Sequence, residues 1–123
     1  MYIIVFRQTG VDIMEGIKKF KNETCFKLEI GLSVRNGDIA GSTIKKEDFC
    51  LKPFEAKTIE YGNERNPFLN GIHIQTIDCD ECSETGLFTS KCNTAIDKLL
   101  NKNNFIKILS AAQSLVISGY YIK

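Results

Sequence analysis

The stretch Phe26-Lys27-Leu28-Glu29-Ile30-Gly31-Leu32-Ser33-Val34 places five apolar residues at strict alternation with polar residues or glycine. A period of two puts successive side chains on opposite faces, so this is a strand with one face buried. It runs into Arg35-Asn36-Gly37-Asp38, whose Asn-Gly pair tolerates the positive φ angles of a type I′ turn, and Ile39 to Ile44 can return antiparallel. A hairpin is therefore expected at the centre of the fold.

Outward from this hairpin the same chemistry recurs. Asp48 to Leu51 and Lys57 to Tyr61 are short extended pieces around Lys52-Pro53-Phe54-Glu55, where Pro53 fixes φ and removes a donor. Ile72 to Ile77 alternates again after the polar loop Gly62 to Gly71, and Phe105 to Leu109 with Leu115 to Ile122 reads as a closing pair of strands. Met1 to Phe6 is apolar and reads as a first strand; Val11 to Phe20 allows a helical reading through Ile13, Ile17 and Phe20, interrupted by Gly16. One helix is expected between Ser90 and Asn103. There Cys92, Ala95, Ile96, Leu99 and Leu100 recur at helical spacing, with Thr89 or Ser90 as the cap.

Thr43 to Gly62, a strand ending in Leu-x-Pro followed by a Lys-Thr-Ile strand, resembles the middle of small bacterial immunoglobulin-like modules. Leu109 to Gly119 is similar to their last hairpin. The resemblance covers roughly a quarter of the chain and implies a sandwich scaffold of the kind that serves adhesion, scaffolding and recognition. The Cys-Trp-Cys pattern of antibody domains is absent, since the chain has no Trp. The expected fold is mainly β: a two-layer antiparallel β-sandwich, immunoglobulin-like, with one short helix near 90–102, and an α+β sheet as the alternative.

At 123 residues the chain suffices for one domain, 1–123, and no repeat or composition break divides it. Sixteen Lys plus Arg against fifteen Asp plus Glu give a formal charge of +1, which disfavours nucleic acid as a partner. No stretch approaches the ~20 apolar residues of a membrane span, and no basic region precedes the apolar start as in a secretory signal. The compartment expected is the cytoplasm, where an odd set of five cysteines stays reduced, or outside it if a leader has been removed. In the second case Asn22-Glu23-Thr24 is a glycosylation sequon.

Cys79-Asp80-Glu81-Cys82 is the most distinctive motif. No cofactor is expected; in the alternative reading, a small metal-binding module, its two sulfurs with Cys92 and His73 would supply ligands for zinc, although no second C-x-x-C or H-x-x-x-H completes a zinc signature. A thiol-exchange catalyst is disfavoured because four acidic side chains and no basic one surround the pair, opposing thiolate formation. A local disulfide is open to the same two residues. Cys92 on the helix stripe, and Cys25 and Cys50 by strands, read as small core residues. Asp78, Asp80 and Glu84 fall at positions 1, 3 and 7 of a calcium-loop frame that then fails at Ser83 and Thr89.

His73 is the only histidine and should face away from Ile72 and Ile74. No Gly-x-Ser-x-Gly elbow, P-loop or dinucleotide fingerprint accompanies it, so binding is expected in preference to catalysis. Charge is segregated: Asp78, Asp80, Glu81 and Glu84 form an acidic loop, while the chain after Asp97 carries Lys98, Lys102, Lys107 and Lys123 and no acidic side chain. The acidic loop suits a basic partner. Tyr61, Arg65 and Phe68 in the second polar loop are further candidate contact residues, and one ring of Tyr120-Tyr121 should be core. The expected partner is another protein or a second copy of the chain through an exposed strand edge.

Overall fold

The computed structural model describes residues 16–112 and 114–123. The expected first strand Met1 to Phe6 and residues 11–15 of the Val11 to Phe20 segment lie outside them. Eight strands and one helix follow in the order β1 (Ile17–Asn22), β2 (Lys27–Asn36), β3 (Ile39–Leu51), β4 (Ala56–Glu60), β5 (Leu69–Ile77), β6 (Glu84–Phe88), α1 (Ala95–Asn101), β7 (Phe105–Ala111) and β8 (Ser114–Tyr120). They form two four-stranded sheets, β4-β1-β7-β8 and β3-β2-β5-β6, packed face to face as a sandwich. All pairings are antiparallel except β1 with β7, which is parallel.

The core is the sum of the inward rows. Leu28, Ile30, Leu32 and Val34 of β2 and Ile72 and Ile74 of β5 face Phe20 of β1 and Ile106 and Ile108 of β7. Phe49 of β3 adds a ring whose centroid lies 5.2 Å from that of Phe20. Ile17 to Phe20, one arm of the possible helix, is strand: Lys18, Phe20 and Asn22 alternate inward with exposed Lys19 between them. Gly16 precedes it at φ +76°, and its carbonyl accepts from the Tyr61 and Gly62 amides. A Cβ there would collide with the Gly62 backbone, so only glycine allows this approach.

Several elements differ from expectation for identifiable reasons. β3 is one 13-residue strand where two pieces were read, because Thr43 to Asp48 lies on an exposed sheet edge and needs no apolar alternation. The β2–β3 turn has Gly37 and Asp38 at its centre with only Gly37 at positive φ, +59°, the pattern of a type II′ turn in place of type I′. β6 is a strand with no counterpart in the sequence reading, which placed only its first residue, Glu84, in the acidic loop. The helix starts late, capped by Thr94, whose side chain accepts from the Asp97 amide. Cys92 therefore precedes the helix and is exposed, and Cys25 is exposed as well. Both rings of Tyr120 and Tyr121 are exposed.

Register shifts at Val34, Arg35 and Asn36 break the alternation of β2 and turn Arg35 inward behind Val34. Its guanidinium donates to Asp97 Oδ1 at 2.6 Å, Asn70 Oδ1 at 2.8 Å and the Leu69 carbonyl at 3.1 Å. Asn101 joins the group, donating to Asp97 Oδ1 and the Leu69 carbonyl and accepting from the Leu69 amide. Burial alone would raise the Asp97 pKa, but the bonds from Arg35, Asn93 and Asn101 and the Arg35 charge outweigh it and lower it. At the other end Asn22 is fully buried, its amide spent on the carbonyls of Phe26 and Lys52 and its oxygen on Thr24. The sequon asparagine thus has no accessible nitrogen for a glycan in the folded chain.

Lys18 is the one lysine of the described residues that points into the sandwich. Its ammonium donates to the Asn103 carbonyl at 2.7 Å and lies 5.9 Å from the Tyr61 ring centre, and burial pushes its pKa down to about 8. The unfolded chain binds that proton up to about pH 10.4, so the charged amine costs stability below pH 8 and the cost disappears as pH rises from 8 to 10.4. Lys18→Met should raise the urea midpoint at pH 7 and flatten this rise; a variant with the native pH profile would contradict the assignment.

Candidate functional site

The sandwich has two ends. β2 leaves, and β5 enters, at the end carrying α1 and the 61–68 loop; both have their other terminus at the end carrying Phe26, the 78–83 loop and the β7–β8 hairpin. β5 is nine residues long, so the ends are separated by roughly 30 Å. The predicted contact residues divide between them. Asp78, Asp80, Glu81 and Glu84 stand at the hairpin end, while Tyr61, Arg65 and Phe68 stand at the helix end and do not join them.

Tyr61 is not a surface anchor. It is 1% exposed, its hydroxyl donates to the Pro67 carbonyl at 3.0 Å, and burial raises its pKa. A ring in a polar loop read as exposed because the loop folds back over the core. Phe68 is half-buried with its ring centre 5.7 Å from the Arg35 guanidinium, and Arg65 alone of the three is exposed.

At the hairpin end, β5 and β6 are joined by a short loop closed by Thr76 and Ser83. The Thr76 amide donates to the Ser83 carbonyl at 2.8 Å, and the Ser83 amide returns to Thr76 Oγ1 at 2.7 Å. Within this closure Cys79 and Cys82 form a disulfide, and Asp78 takes φ +57°. The bond holds Asp80 and Glu81 at the tip, both exposed. Phe26, Ser110 and Leu115 face them across a cleft of about 760 Å³. The cleft offers carboxylates on one wall and an aromatic and an aliphatic side chain on the other.

The acidic surface continues onto the outer face of β3-β2-β5-β6. Asp48, Gly31, His73 and Gly86 form one cross-strand row there, and Glu29, Gln75 and Glu84 the next. His73 points outward as expected, its Nε2 3.2 Å from Glu84 Oε2. Glu29 accepts from the Gln75 amide at 2.8 Å. A Cβ on Gly31 would sit 2.9 Å from Asp48 Oδ1, so glycine keeps open a notch of about 170 Å³ lined by Glu29, Asp48, His73 and Gln75. Two lysines interrupt this surface, Lys27, 3.6 Å from Asp78, and Lys46, opposite Ser33 in the row beside Asp48. Sequence reading missed Glu29 and Asp48. The signal was the outward phase of β2 and β3, which becomes a surface only once the strand register is known.

The proposed zinc set is not assembled. Cys79 and Cys82 bond to each other, Cys92 lies beside Asp38 at the helix end, and His73 pairs with Glu84. Among the described residues no three His, Cys, Asp or Glu side chains converge as metal ligands. Cys25, Cys50 and Cys92 are free thiols, so the expected reduced set is corrected to one disulfide and three thiols. Among the described residues no helix is long and apolar enough to cross a membrane.

No family model matches the chain, and no curated protein matches it. Among solved structures it is similar to the type VI secretion system (T6SS) lipoprotein TssJ1 from Pseudomonas aeruginosa, at 13% identity and a TM-score of 0.45, over 87% of this chain and 96% of that one. At this distance neither activity nor partner carries over.

Alkylation under denaturing conditions reads the cysteine state directly. Three adducts without reductant and five after reduction are expected; five before reduction would show that the Cys79–Cys82 bond does not form.

Proposed function

We propose that the protein is a non-enzymatic protein-binding module whose acidic end and face receive a basic segment of a partner. The observation that supports this reading is the grouping of Glu29, Asp48, Asp78, Asp80, Glu81 and Glu84 on one surface beside an open cleft. The lysines Lys19, Lys21 and Lys107 lie on the outer face of the other sheet. The tip carboxylates are exposed, so they act mainly by steering and by excluding acidic partners, while Phe26 and Leu115 supply apolar contact. A loop closed by a disulfide is already restricted before binding, which lowers the ordering cost. Disulfides persist in oxidising compartments, and this favours the extracytoplasmic alternative for the location. The immunoglobulin-like resemblance fits the same reading as a rigid scaffold that displays loops.

A fluorescent octalysine peptide tests the surface at low ionic strength. Binding should weaken about 10-fold or more when Asp80→Lys and Glu81→Lys are combined, and fall with added salt. Lys19→Glu with Lys107→Glu should leave it intact. Equal binding by the native protein and the Asp80/Glu81 variant would remove the acidic loop from the reading.

A further inference from the structure

The four sheet edges are not equally guarded. β3 carries Lys45, Lys46, Glu47 and Asp48, β4 carries Lys57 and Glu60, and the five-residue β6 carries Glu84. β8, Ser114-Leu115-Val116-Ile117-Ser118-Gly119-Tyr120, carries no charge and no proline. Among the described residues it pairs with β7 alone. Soluble proteins place charges on edge strands to prevent further pairing, and an uncharged seven-residue edge lacks that protection. Its outward face alternates Ser114, Val116, Ser118 and Tyr120, with Val116 41% and Tyr120 43% exposed, beside Phe105, Lys107 and Leu109 of β7.

We propose that β8 pairs antiparallel with β8 of a second copy, joining the two β4-β1-β7-β8 sheets into one. This names the edge and register of self-association within the protein-binding reading and rests on that reading only in being an interaction between proteins. Two properties select a second copy. First, a two-fold axis at Ile117 sets Ile117 opposite the partner's Ile117 and, on either side of it, a large side chain against a small one: Ser114 opposite the partner's Tyr120, Leu115 opposite the partner's Gly119, Val116 opposite the partner's Ser118. Cross-strand pairs of this kind fill the face without crowding. Second, β8 runs from the acidic end of the molecule to the helix end, where α1 carries Lys98 and Lys102. Antiparallel pairing places the acidic loop of each copy alongside the lysine-bearing end of the other, twice over, with no charged residue between the paired strands. This absorbs the charge segregation visible in the sequence.

One strand pair makes an interface below the roughly 1,200 Å² of stable assemblies, so the dimer is concentration-dependent. Sedimentation equilibrium from about 1 µM to 1 mM should show monomer passing to dimer, weaker at high salt, with amide exchange of residues 114–118 slowing as concentration rises. Val116→Lys, an exposed position, should give monomer throughout, while Ile44→Lys on the β3 edge should dimerise as the native chain does. The proposal is overturned by a native chain that stays monomeric to 1 mM, by Val116→Lys dimerising normally, or by Ile44→Lys alone dissociating. Octalysine binding by the monomeric Val116→Lys protein keeps this result separate from that of the acidic surface.

Discussion

The interaction on which the architecture depends is the buried contact between Arg35 and Asp97, 2.6 Å apart with both side chains almost removed from water. Two charges in such a place are tolerated only when the remaining donors and acceptors are matched, and Asn70, Asn101 and the Leu69 carbonyl supply those partners. The contact joins a bulge in β2, the start of β5 and the first turn of α1. A seven-residue helix has little stability of its own. Leu100 anchors it by burial, and the ion pair sets which way it faces.

Closing the helix end in this way has a consequence for the opposite end. The strands are held in register by the core and the polar knot, so the β5–β6 loop needs no apolar contact of its own. It can carry four carboxylates within seven residues, with the disulfide and the Thr76–Ser83 closure keeping them from spreading. The molecule is thereby polarised along its strands and across its sheets. Asp78, Asp80, Glu81 and Glu84 gather at one end, with Glu29 and Asp48 on the adjoining outer face; Lys98 and Lys102 stand at the helix end and Lys19, Lys21 and Lys107 on the other outer face.

The parts of the fold legible in the sequence were those where burial on one face left a period of two. Leu28 to Val34 and Ile72 to Ile77 are such stretches, and β2 and β5 lie at the centre of their sheet, whereas Phe26, which continues the same period, precedes β2 and is exposed. Edge strands were less legible, since β3 and β6 satisfy their exposed positions with Thr, Lys, Glu and Asp that read as loop. Arg35 read as a turn residue because a bulge, which re-aims a side chain, leaves no periodic trace. Tyr61 and Cys92 exchanged places: an aromatic in a polar loop is core, and a cysteine on an apparent helical stripe is surface. The acidic loop was legible as charge, but its extension through Glu29 and Asp48 depends on cross-strand register.

A thermodynamic double-mutant cycle on Arg35→Met and Asp97→Leu, measured by urea unfolding, tests the central claim most directly. Each single change strands a buried charge and should cost about 3 kcal/mol or more, while the double variant should recover a large part of that loss, giving a coupling of at least about 2 kcal/mol. Additive losses with no coupling would mean that the two side chains do not depend on each other, and the account of how the helix end is closed would fail.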